Sequence, residues 1–368
     1  MPCRSRPANP VSVAVLAALL AAGCSDAPSP GPLTPAEACA DPGDCRLAEA
    51  GRIAGVRVGL ASGIPEGRRR EIVVAESTIH ENHALSWNSI WPERGRWTFE
   101  DADRRDAFVE DNGMFQAGFH FAWHQVFLDD LPAWVKEIDD PDELRAVLRE
   151  RARVIFERYP GLDRINVINE PLVTLGTSRE LEKNFFYRVL GPDYVRQLFE
   201  IVDEFAPENV ELALNENFVE YFPEKAEGLV ELIRSLVEDG APIDTVGFQS
   251  HLMLTEIFRT EPDFDRLRDT MERVAALGVK VWISELDNPV DPARPDRFAY
   301  QAENYRRVVE ACLAVPACTD ILIWGVQDEA RYWFTLPYED AAPLLFDAGF
   351  RPKPAYFAVR DALLRGRP

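Results

Sequence analysis

Positive charge is scarce in this sequence. Lys and Arg together number 40 against 62 Asp and Glu, so the chain of 368 residues carries a formal net charge of −22 at pH 7. Such a chain repels the phosphates of nucleic acids, because binding to them depends on cationic side chains that displace counterions. Nucleic acid is therefore excluded as an expected partner.

Long hydrophobic runs are scarce as well. The apolar run at 11–22, which follows two arginines, is about half the length of a membrane-spanning helix but suits a signal peptide. It ends in the segment LAAGCS at 20–25, which is similar to the cleavage site of a bacterial lipoprotein. We expect cleavage after residue 23 and a lipid on Cys24. An ordinary secretory signal with a chance cysteine is the alternative.

This N-terminal segment sets the predicted division of the chain. Residues 1–23 form a signal peptide, residues 24–50 a Pro- and Ser-rich tether with a small disulfide loop, and residues 51–368 a single folded domain. We expect an exported bacterial lipoprotein in the periplasm, in the outer membrane or on the cell surface. The lipid is its only predicted contact with a membrane, and we expect a monomer.

Cysteine is also rare, with six in the chain. One lies in the signal peptide and Cys24 is the predicted lipid acceptor. The remaining four form two close pairs, Cys39 with Cys45 and Cys312 with Cys318. Export favours disulfides, and neither spacing matches a zinc site, although one sequence does not prove the connectivity. We predict that both pairs are disulfides.

Motifs that hold a metal or a nucleotide are missing too. His80 and His83 are three residues apart and His120 and His124 are four apart, but neither pair has a third ligand nearby in the sequence. No glycine-rich turn follows the first apolar run to receive the phosphates of a dinucleotide. We therefore predict neither a metal nor a cofactor.

The remaining sequence shows a regular alternation of short apolar, β-branched runs with amphipathic stretches such as 142–159 and 223–239. This pattern predicts parallel strands with helical crossovers. Eight such runs predict an α/β fold, a single (β/α)8 TIM barrel, and the alternative is a doubly wound open sheet. The predicted strands are 56–61, 76–81, 114–121, 164–168, 210–214, 245–249, 279–284 and 319–324.

Polar residues cluster at the C-terminal ends of these strands, where barrels of this kind carry their chemistry. They are Glu81-Asn82, Trp123-His124, Asn169-Glu170, Asn215-Glu216, Gln249-Ser250-His251, Glu285-Leu286-Asp287 and Trp324. Parallel strands bring their C-terminal ends to one rim, so we expect these side chains to line one cleft.

Two of these acids, Glu170 and Glu285, end strands that are almost entirely apolar. A carboxylate there is costly unless it faces a polar cleft. Two facing carboxyl groups can hydrolyse a glycosidic bond, one as proton donor and the other as nucleophile or base. The alternative is a structural role, in which Glu170 caps a helix and Glu285 forms an ion pair.

Motifs spread over the barrel extend this interpretation. They include Glu81-Asn82, Trp123-His124, Leu131-Pro132-Ala133-Trp134, Asn169-Glu170, Gln249-Ser250-His251, Glu285-Leu286-Asp287, Trp324-Gly325-Val326 and Pro343-Leu344-Leu345-Phe346-Asp347. In their order and spacing, residues 51–359 resemble glycoside hydrolase family 10, whose principal members are endo-1,4-β-xylanases.

The resemblance implies a retaining mechanism with Glu170 as acid/base and Glu285 as nucleophile. Asn169 would bond the 2-hydroxyl of the reacting sugar, and His251, supported by Asp287, would keep Glu285 ionised. The other residues implied to bind substrate are Glu81 and Asn82 at the second sugar on the non-reducing (glycone) side, His124, Trp324 and Trp333 along the glycone sugars, and Asn215 and Gln249 beside the acid/base or the sugar. For each Trp, core packing is the alternative.

Two departures from the family concern the glycone sugars. A lysine normally follows the Glu-Asn motif just before a Trp, but the segment at 81–87 reads ENHALSW, one residue longer and without lysine. A histidine expected at Phe119 is displaced to His120, where strand alternation predicts that it points away from the sugar unless a bulge restores its direction. We therefore expect weaker hydrolysis of plain linear xylan than in members that keep both residues.

The sequence thus predicts a retaining endo-β-1,4-glycosidase that binds β-1,4-linked polysaccharide or oligosaccharide of the xylan type. A hydrolase of another β-glycan is one alternative. A non-catalytic glycan-binding lipoprotein is a second, and the presence of both glutamates argues against it.

Overall fold

Eight parallel β-strands form the centre of the molecule in a computed structural model of the chain. The structure describes residue 39 and residues 44–124, 130–174, 178–253, 258–329 and 340–368. The strands are β1 Arg57–Leu60, β2 Ile79–Asn82, β3 Phe115–Gly118, β4 Arg164–Asn169, β5 Glu211–Glu216, β6 Thr245–Phe248, β7 Lys280–Leu286 and β8 Cys318–Ile323. Most of their residues are buried on both faces, as is typical of parallel strands covered by helices.

The sheet closes almost completely into a barrel. Its strand order is β1-β8-β7-β6-β5-β4-β3-β2. Beside the two outer strands, the Thr78 N–H donates to the Val58 carbonyl at 2.7 Å, and the Leu60 N–H donates to Ser77 Oγ at 3.1 Å. The predicted (β/α)8 barrel is therefore confirmed, and the doubly wound sheet is excluded.

Helices surround the strands. Those in the described residues are α1 Leu47–Ala54, α2 Gly67–Glu76, α3 Trp87–Ile90, α4 Glu100–Asp111, α5 Ala133–Lys136, α6 Pro141–Arg158, α7 Phe185–Leu190, α8 Tyr194–Asp203, α9 Pro223–Glu238, α10 Phe264–Ala275, α11 Arg297–Ala314 and α12 Pro354–Arg365, with a short 3₁₀ helix at His83–Leu85. The two helices predicted at 142–159 and 223–239 correspond to α6 and α9. The side chain of Asp140 caps α6 by accepting the Asp142 N–H at 2.7 Å.

The strand predictions were wrong chiefly at two ends. Glu76, the predicted start of the second strand, ends α2, where its buried carboxylate accepts the Leu47 N–H at 2.8 Å and the Tyr356 hydroxyl at 3.1 Å. The third strand stops at Gly118, three residues before the predicted end. His120 therefore lies beyond the strand, where strict alternation of side chains no longer applies.

The folded domain also begins earlier than the predicted boundary at residue 51. Helix α1 crosses that boundary, and Leu47 and Ala50 are fully buried in the core. The amphipathic helix buries its apolar face against the barrel and α12, so the tether ends before residue 47.

Both predicted cysteine pairs are bonded, Cys39 with Cys45 and Cys312 with Cys318. The second pair joins the end of α11 to the first residue of β8. In the described ranges, we find no helix with the length and apolar character needed to cross a membrane. Cys24 and the predicted signal peptide lie outside those ranges.

Candidate active site

The C-terminal ends of the strands surround a cavity of about 640 Å³. Phe119, Trp282 and Leu322 fill the barrel interior beneath the rim. Each strand or the loop that follows it contributes to the lining, which is Ala61, Ser62, Gly63, Arg69, Glu81, His83, Arg105, His120, Trp123, Asn169, Glu170, Thr174, Asn217, Phe218, Met253, Phe258, Glu285, Trp324, Gly325, Val326, Gln327, Glu329 and Leu344.

Glu170 follows directly after β4 and has a φ of 53°, in the left-handed region that non-glycine residues rarely adopt. Its Oε1 accepts Gln249 Nε2–H at 2.7 Å, and its Oε2 accepts Trp123 Nε1–H at 3.2 Å. Burial raises the pKa of Glu170 to about 7; the Gln249 hydrogen bond opposes this rise and the charges of Glu216 and Glu285 add to it. Glu170 is thus protonated in part at neutral pH.

Glu285 lies near the end of β7 among donors to both of its oxygens. Asn215 Nδ2–H donates to Oε1 at 2.6 Å, and His251 Nε2 lies 3.1 Å from Oε2. His251 Nδ1 lies 3.0 Å from Asp287 Oδ2. Burial disfavours the imidazolium, but Asp287 and Glu285 outweigh this effect and raise the pKa of His251 to about 10. A cation therefore sits beside Glu285 at neutral pH.

The pairing of β4 with β5 brings side chains beside Glu170 and Glu285 into contact. Asn169 on β4 pairs with Asn215 on β5, and Asn215 Nδ2–H also donates to Asn169 Oδ1 at 2.9 Å. The hydroxyl of Ser284 donates to Asn215 Oδ1. One amide group thus holds both Asn169, at the cavity surface, and Glu285.

Five of the residues predicted to act at the site line the cavity: Glu81, Asn169, Glu170, Glu285 and Trp324. Four others, Asn215, Gln249, His251 and Asp287, are buried behind it and position the carboxyl groups. The sequence left open whether Asn215 orients the acid/base or the sugar. In the structure, Asn215 donates to Asn169 and to Glu285.

Two residues predicted to contact substrate are not among the described residues that line the cavity. Asn82 is fully buried, its Nδ2–H donates to the Ala102 carbonyl of α4 at 3.3 Å, and it is not among the described residues that line the cavity. Alternation along β2 turns Glu81 to the cavity and Asn82 to the helix. Nor does His124 line the cavity. Its Nδ1 accepts the Phe185 N–H at 3.5 Å, on the side of α7. Trp333 lies outside the described residues.

Trp123, His120 and Arg105 are among the cavity residues that the sequence analysis missed or misjudged. Trp123 precedes His124 and contacts Glu170, so the motif was identified but this member of it was given no role. His120 lines the cavity, which strict strand alternation does not predict but an irregular strand end allows, whereas Phe119 packs against Trp282 and Trp324. Arg105 lies in α4, far in the sequence from the ends of the strands, and no sequence motif indicated it.

In the part of the cavity beside β1, β2 and β8, hydrogen bonds fix the carboxylate of Glu81. Both oxygens of Glu81 contact Arg105 Nη1, at 2.8 and 3.0 Å. They also accept the N–H groups of Gly63 and His83. Burial opposes ionisation of Glu81, but the charge of Arg105, together with the hydrogen bond from the His83 N–H, outweighs it and lowers the pKa of Glu81.

The part of the cavity beside β4, β5 and β6 is more apolar. Phe218 and Phe258 pack edge to face with ring centroids 4.9 Å apart, and Met253 lies with them. Behind this wall, Lys225 Nζ lies 2.9 Å from Glu216 Oε1, and both side chains are fully buried. Within the described ranges, no three His, Cys, Asp or Glu side chains are placed to hold a metal ion.

Comparison with known proteins assigns this arrangement to a family. The sequence profile of glycosyl hydrolase family 10 matches residues 54–362. The chain belongs to glycosyl hydrolase family 10. It is therefore a glycoside hydrolase, which agrees with two carboxyl groups at the strand ends of a barrel.

Relatives in family 10 cover most of the chain. It is 30% identical over 321 residues to endo-1,4-beta-xylanase B of Thermotoga neapolitana, covering 84% of this chain and 88% of that protein. It is 32% identical over 281 residues to endo-1,4-beta-xylanase A of Humicola insolens, with 75% and 71% covered. A solved structure of xylanase 10B from Thermotoga petrophila RKU-1 in complex with xylobiose superposes with a TM-score of 0.77 at 26% identity, covering 88% and 98%.

Proposed function

We propose that this family 10 protein is a retaining endo-1,4-β-xylanase in which Glu170 is the acid/base and Glu285 the nucleophile. The observation that carries the proposal is the difference between the two acids. Glu170 is buried among neutral donors and holds its proton near neutral pH. Glu285 lies against a protonated His251. Two carboxyl groups in such different environments serve as acid and nucleophile.

In the first step, Glu170 gives its proton to the glycosidic oxygen while a Glu285 oxygen attacks the anomeric carbon from the other face. The bond between that carbon and the glycosidic oxygen breaks, and the leaving sugar departs with a new hydroxyl group. Glu285 is now joined to the glycone through an ester. The amide of Asn215 and the imidazolium of His251 fix the attacking carboxylate.

In the second step, the ionised Glu170 takes a proton from water. The water oxygen bonds to the anomeric carbon and the ester to Glu285 breaks, which restores both side chains. Each step inverts the anomeric carbon, so the product keeps the configuration of the substrate.

We place the glycone sugars beside β1, β2 and β8 and the leaving sugars beside β4, β5 and β6. The glycone stays bonded to Glu285, which lies next to the β8 loop, and Trp324 offers an aromatic face there. The leaving sugars depart on the side of Glu170, whose loop continues to Thr174 at the cavity wall. Cavity lining on both sides of the acids suits cleavage within a chain.

Rescue by azide tests the roles of the two acids. With an activated aryl β-xylobioside, Glu170→Ala plus azide gives the β-glycosyl azide, because azide then attacks the ester on Glu285. Glu285→Ala plus azide gives the α-glycosyl azide by direct attack. Exchanged products would reverse the assignment, and no rescue of either variant would contradict it.

A second candidate is hydrolysis of another β-glycan. The segment at 81–87 favours it, because the lysine that family members carry beside the glycone is absent. Incubation with xylan, β-glucan and mannan separates the candidates. Xylobiose and longer xylo-oligosaccharides support the proposal, whereas products from glucan or mannan alone would support the second candidate. Relatives named as endo-1,4-beta-xylanases favour xylan.

We further propose that the chain is an exported bacterial lipoprotein with its lipid on Cys24. The sequence at 11–25 supports this proposal. The catalytic domain would then act in the periplasm, at the outer membrane or at the cell surface, tethered by the Pro- and Ser-rich residues that follow Cys24.

A further inference from the structure

A cationic side chain reaches the glycone part of the cavity from an unexpected element. Arg105 lies in α4, and its side chain lines the cavity beside Glu81 with 17% of its surface exposed. The sequence showed no cation at this position, because the segment at 81–87 contains no lysine. The structure supplies one from a helix that follows later in the chain.

We propose that Arg105 determines glycone specificity by donating hydrogen bonds to the hydroxyls of the second glycone sugar. The inference rests on the proposed function, because it deepens the account of the same cavity. The ligand class is an uncharged β-1,4-linked pentose chain.

Hydrogen-bond capacity favours Arg105 over Glu81 as the group that contacts this sugar. The two oxygens of Glu81 already accept from Arg105 Nη1, the Gly63 N–H and the His83 N–H. A guanidinium carries five N–H donors. Arg105 Nε is buried without a hydrogen-bond partner, and Nη2 bonds no residue in the part of the chain that the structure describes. Donors therefore remain available at Nη2.

Gly63 leaves room beside these donors. Its φ of 62° lies in the left-handed region, and a Cβ there would lie 3.3 Å from Arg105 Nη2. The loop after β1 thus approaches the guanidinium through backbone alone. A larger residue at position 63 would crowd Arg105 Nη2. The glycine therefore leaves the N–H groups of Nη2 accessible from the cavity.

Charge balance indicates the kind of ligand. Arg105 is paired with an ionised Glu81, and Arg69 is paired with Glu329 in the same lining. The cations are thus neutralised by neighbours, which suits hydroxyl groups better than a carboxylate ligand. Glu81 also holds the guanidinium in one orientation, so little freedom is lost on binding.

Substrates that differ by one glycone sugar test the proposal. Nitrophenyl β-xyloside occupies only the reacting position, and nitrophenyl β-xylobioside adds the second sugar. We expect Arg105→Ala to lower kcat/KM on the xylobioside by at least about tenfold, the loss typical of one hydrogen bond to a charged group, and on the xyloside by less than about twofold. Arg104→Ala is the matched control, because Arg104 lies next in α4, is 64% exposed and pairs with Asp101.

Equal losses on both substrates would overturn the proposal and leave Arg105 a structural partner of Glu81. No loss on the xylobioside would overturn it as well. If Arg105→Ala does not fold by circular dichroism, Arg105→Lys decides the question. It keeps the charge but removes the planar fork, and must lower kcat/KM on the xylobioside alone. A wild-type protein that cleaves neither substrate would overturn the proposed function, and this inference with it.

Discussion

Glu170 and Glu285 have the same side chain, and their neighbours give them different chemistry. Glu170 accepts hydrogen bonds from an amide and an indole, both neutral, in a buried position. Glu285 accepts from an amide and lies beside a cationic imidazole. Burial among neutral donors raises the pKa of Glu170, whereas Glu285 lies against the charged His251, and this difference supports the two roles proposed for them.

Gln249 is the residue through which the pKa of Glu170 can be changed. In the proposed mechanism Glu170 acts in its protonated form, so we expect kcat/KM to fall as the pH rises through its pKa of about 7. The Gln249 hydrogen bond stabilises the carboxylate, and its removal in Gln249→Leu raises the pKa of Glu170. We expect the alkaline limb of the pH profile of kcat/KM to move up by about one unit or less. An unchanged limb, or one moved to lower pH, would contradict this role.

Asp287 keeps His251 protonated. In Asp287→Asn the imidazolium loses a carboxylate, so the pKa of His251 falls from about 10 by about one unit or more. NMR titration can follow the imidazole, because the chain has only five histidines. Asp265→Asn, an exposed acid on α10, should leave the titration unchanged. A His251 pKa equal to that of the wild type would show that Asp287 does not support the cation.

The sequence predicted the location of several residues correctly. Glu170, Glu285, Asn169 and Trp324 lie at the cavity as expected. Asn82 bonds to α4 rather than lining the cavity, because the orientation of a side chain at a strand end depends on where the strand stops. Arg105 could not be predicted, because a helix residue reaches the cavity only through tertiary packing.

At the scale of elements, the contact between β5 and β6 holds Asn215 where it bonds Asn169 and Glu285. Gly247 on β6 is paired with Asn215 on β5. A Cβ at Gly247 would lie 2.2 Å from Asn215 Oδ1 and 2.9 Å from Trp282 Nε1. Only glycine therefore allows the amide of Asn215 to reach both Asn169 and Glu285.

Gly247→Ala should displace Asn215 and so disturb Glu285. We expect kcat to fall at least about tenfold and the free energy of unfolding to fall by about 1–3 kcal/mol, as in other overpacked cores. Activity assays and denaturant unfolding measure the two effects. Gly161→Ala is the control, since a Cβ there meets no atom within 4 Å, and it should change stability by less than about 0.5 kcal/mol. A fully active Gly247→Ala would contradict the role given to Asn215.

The elements themselves were largely predictable. All eight strand runs were found because apolar, β-branched runs between amphipathic helices leave few other arrangements. Their ends were less predictable. Glu76 continues α2 because its carboxylate holds α1 and α12 through Leu47 and Tyr356, contacts that no local pattern contains.

At the scale of the whole molecule, we expect the predicted lipid to determine where the protein is found and not how fast it cleaves substrate. Acyl chains on Cys24 would supply the membrane affinity, while the active site lies in the barrel. Cys24→Ser should therefore turn a membrane-associated protein into one found in the aqueous phase, with unchanged kcat/KM on xylo-oligosaccharides. Detergent phase partitioning of cell extracts measures the distribution. Equal partitioning of wild type and variant would reject lipidation at Cys24.

The stereochemistry of cleavage tests the central claim most directly. If Glu285 forms a covalent intermediate and Glu170 acts as acid/base, the carboxyl groups lie roughly 5–5.5 Å apart with no room for a water between Glu285 and the sugar. Proton NMR of xylohexaose during digestion by the wild type should then show the β-anomer of the new reducing end first, followed by slow mutarotation. First appearance of the α-anomer would mean inversion and would contradict the roles assigned to both glutamates.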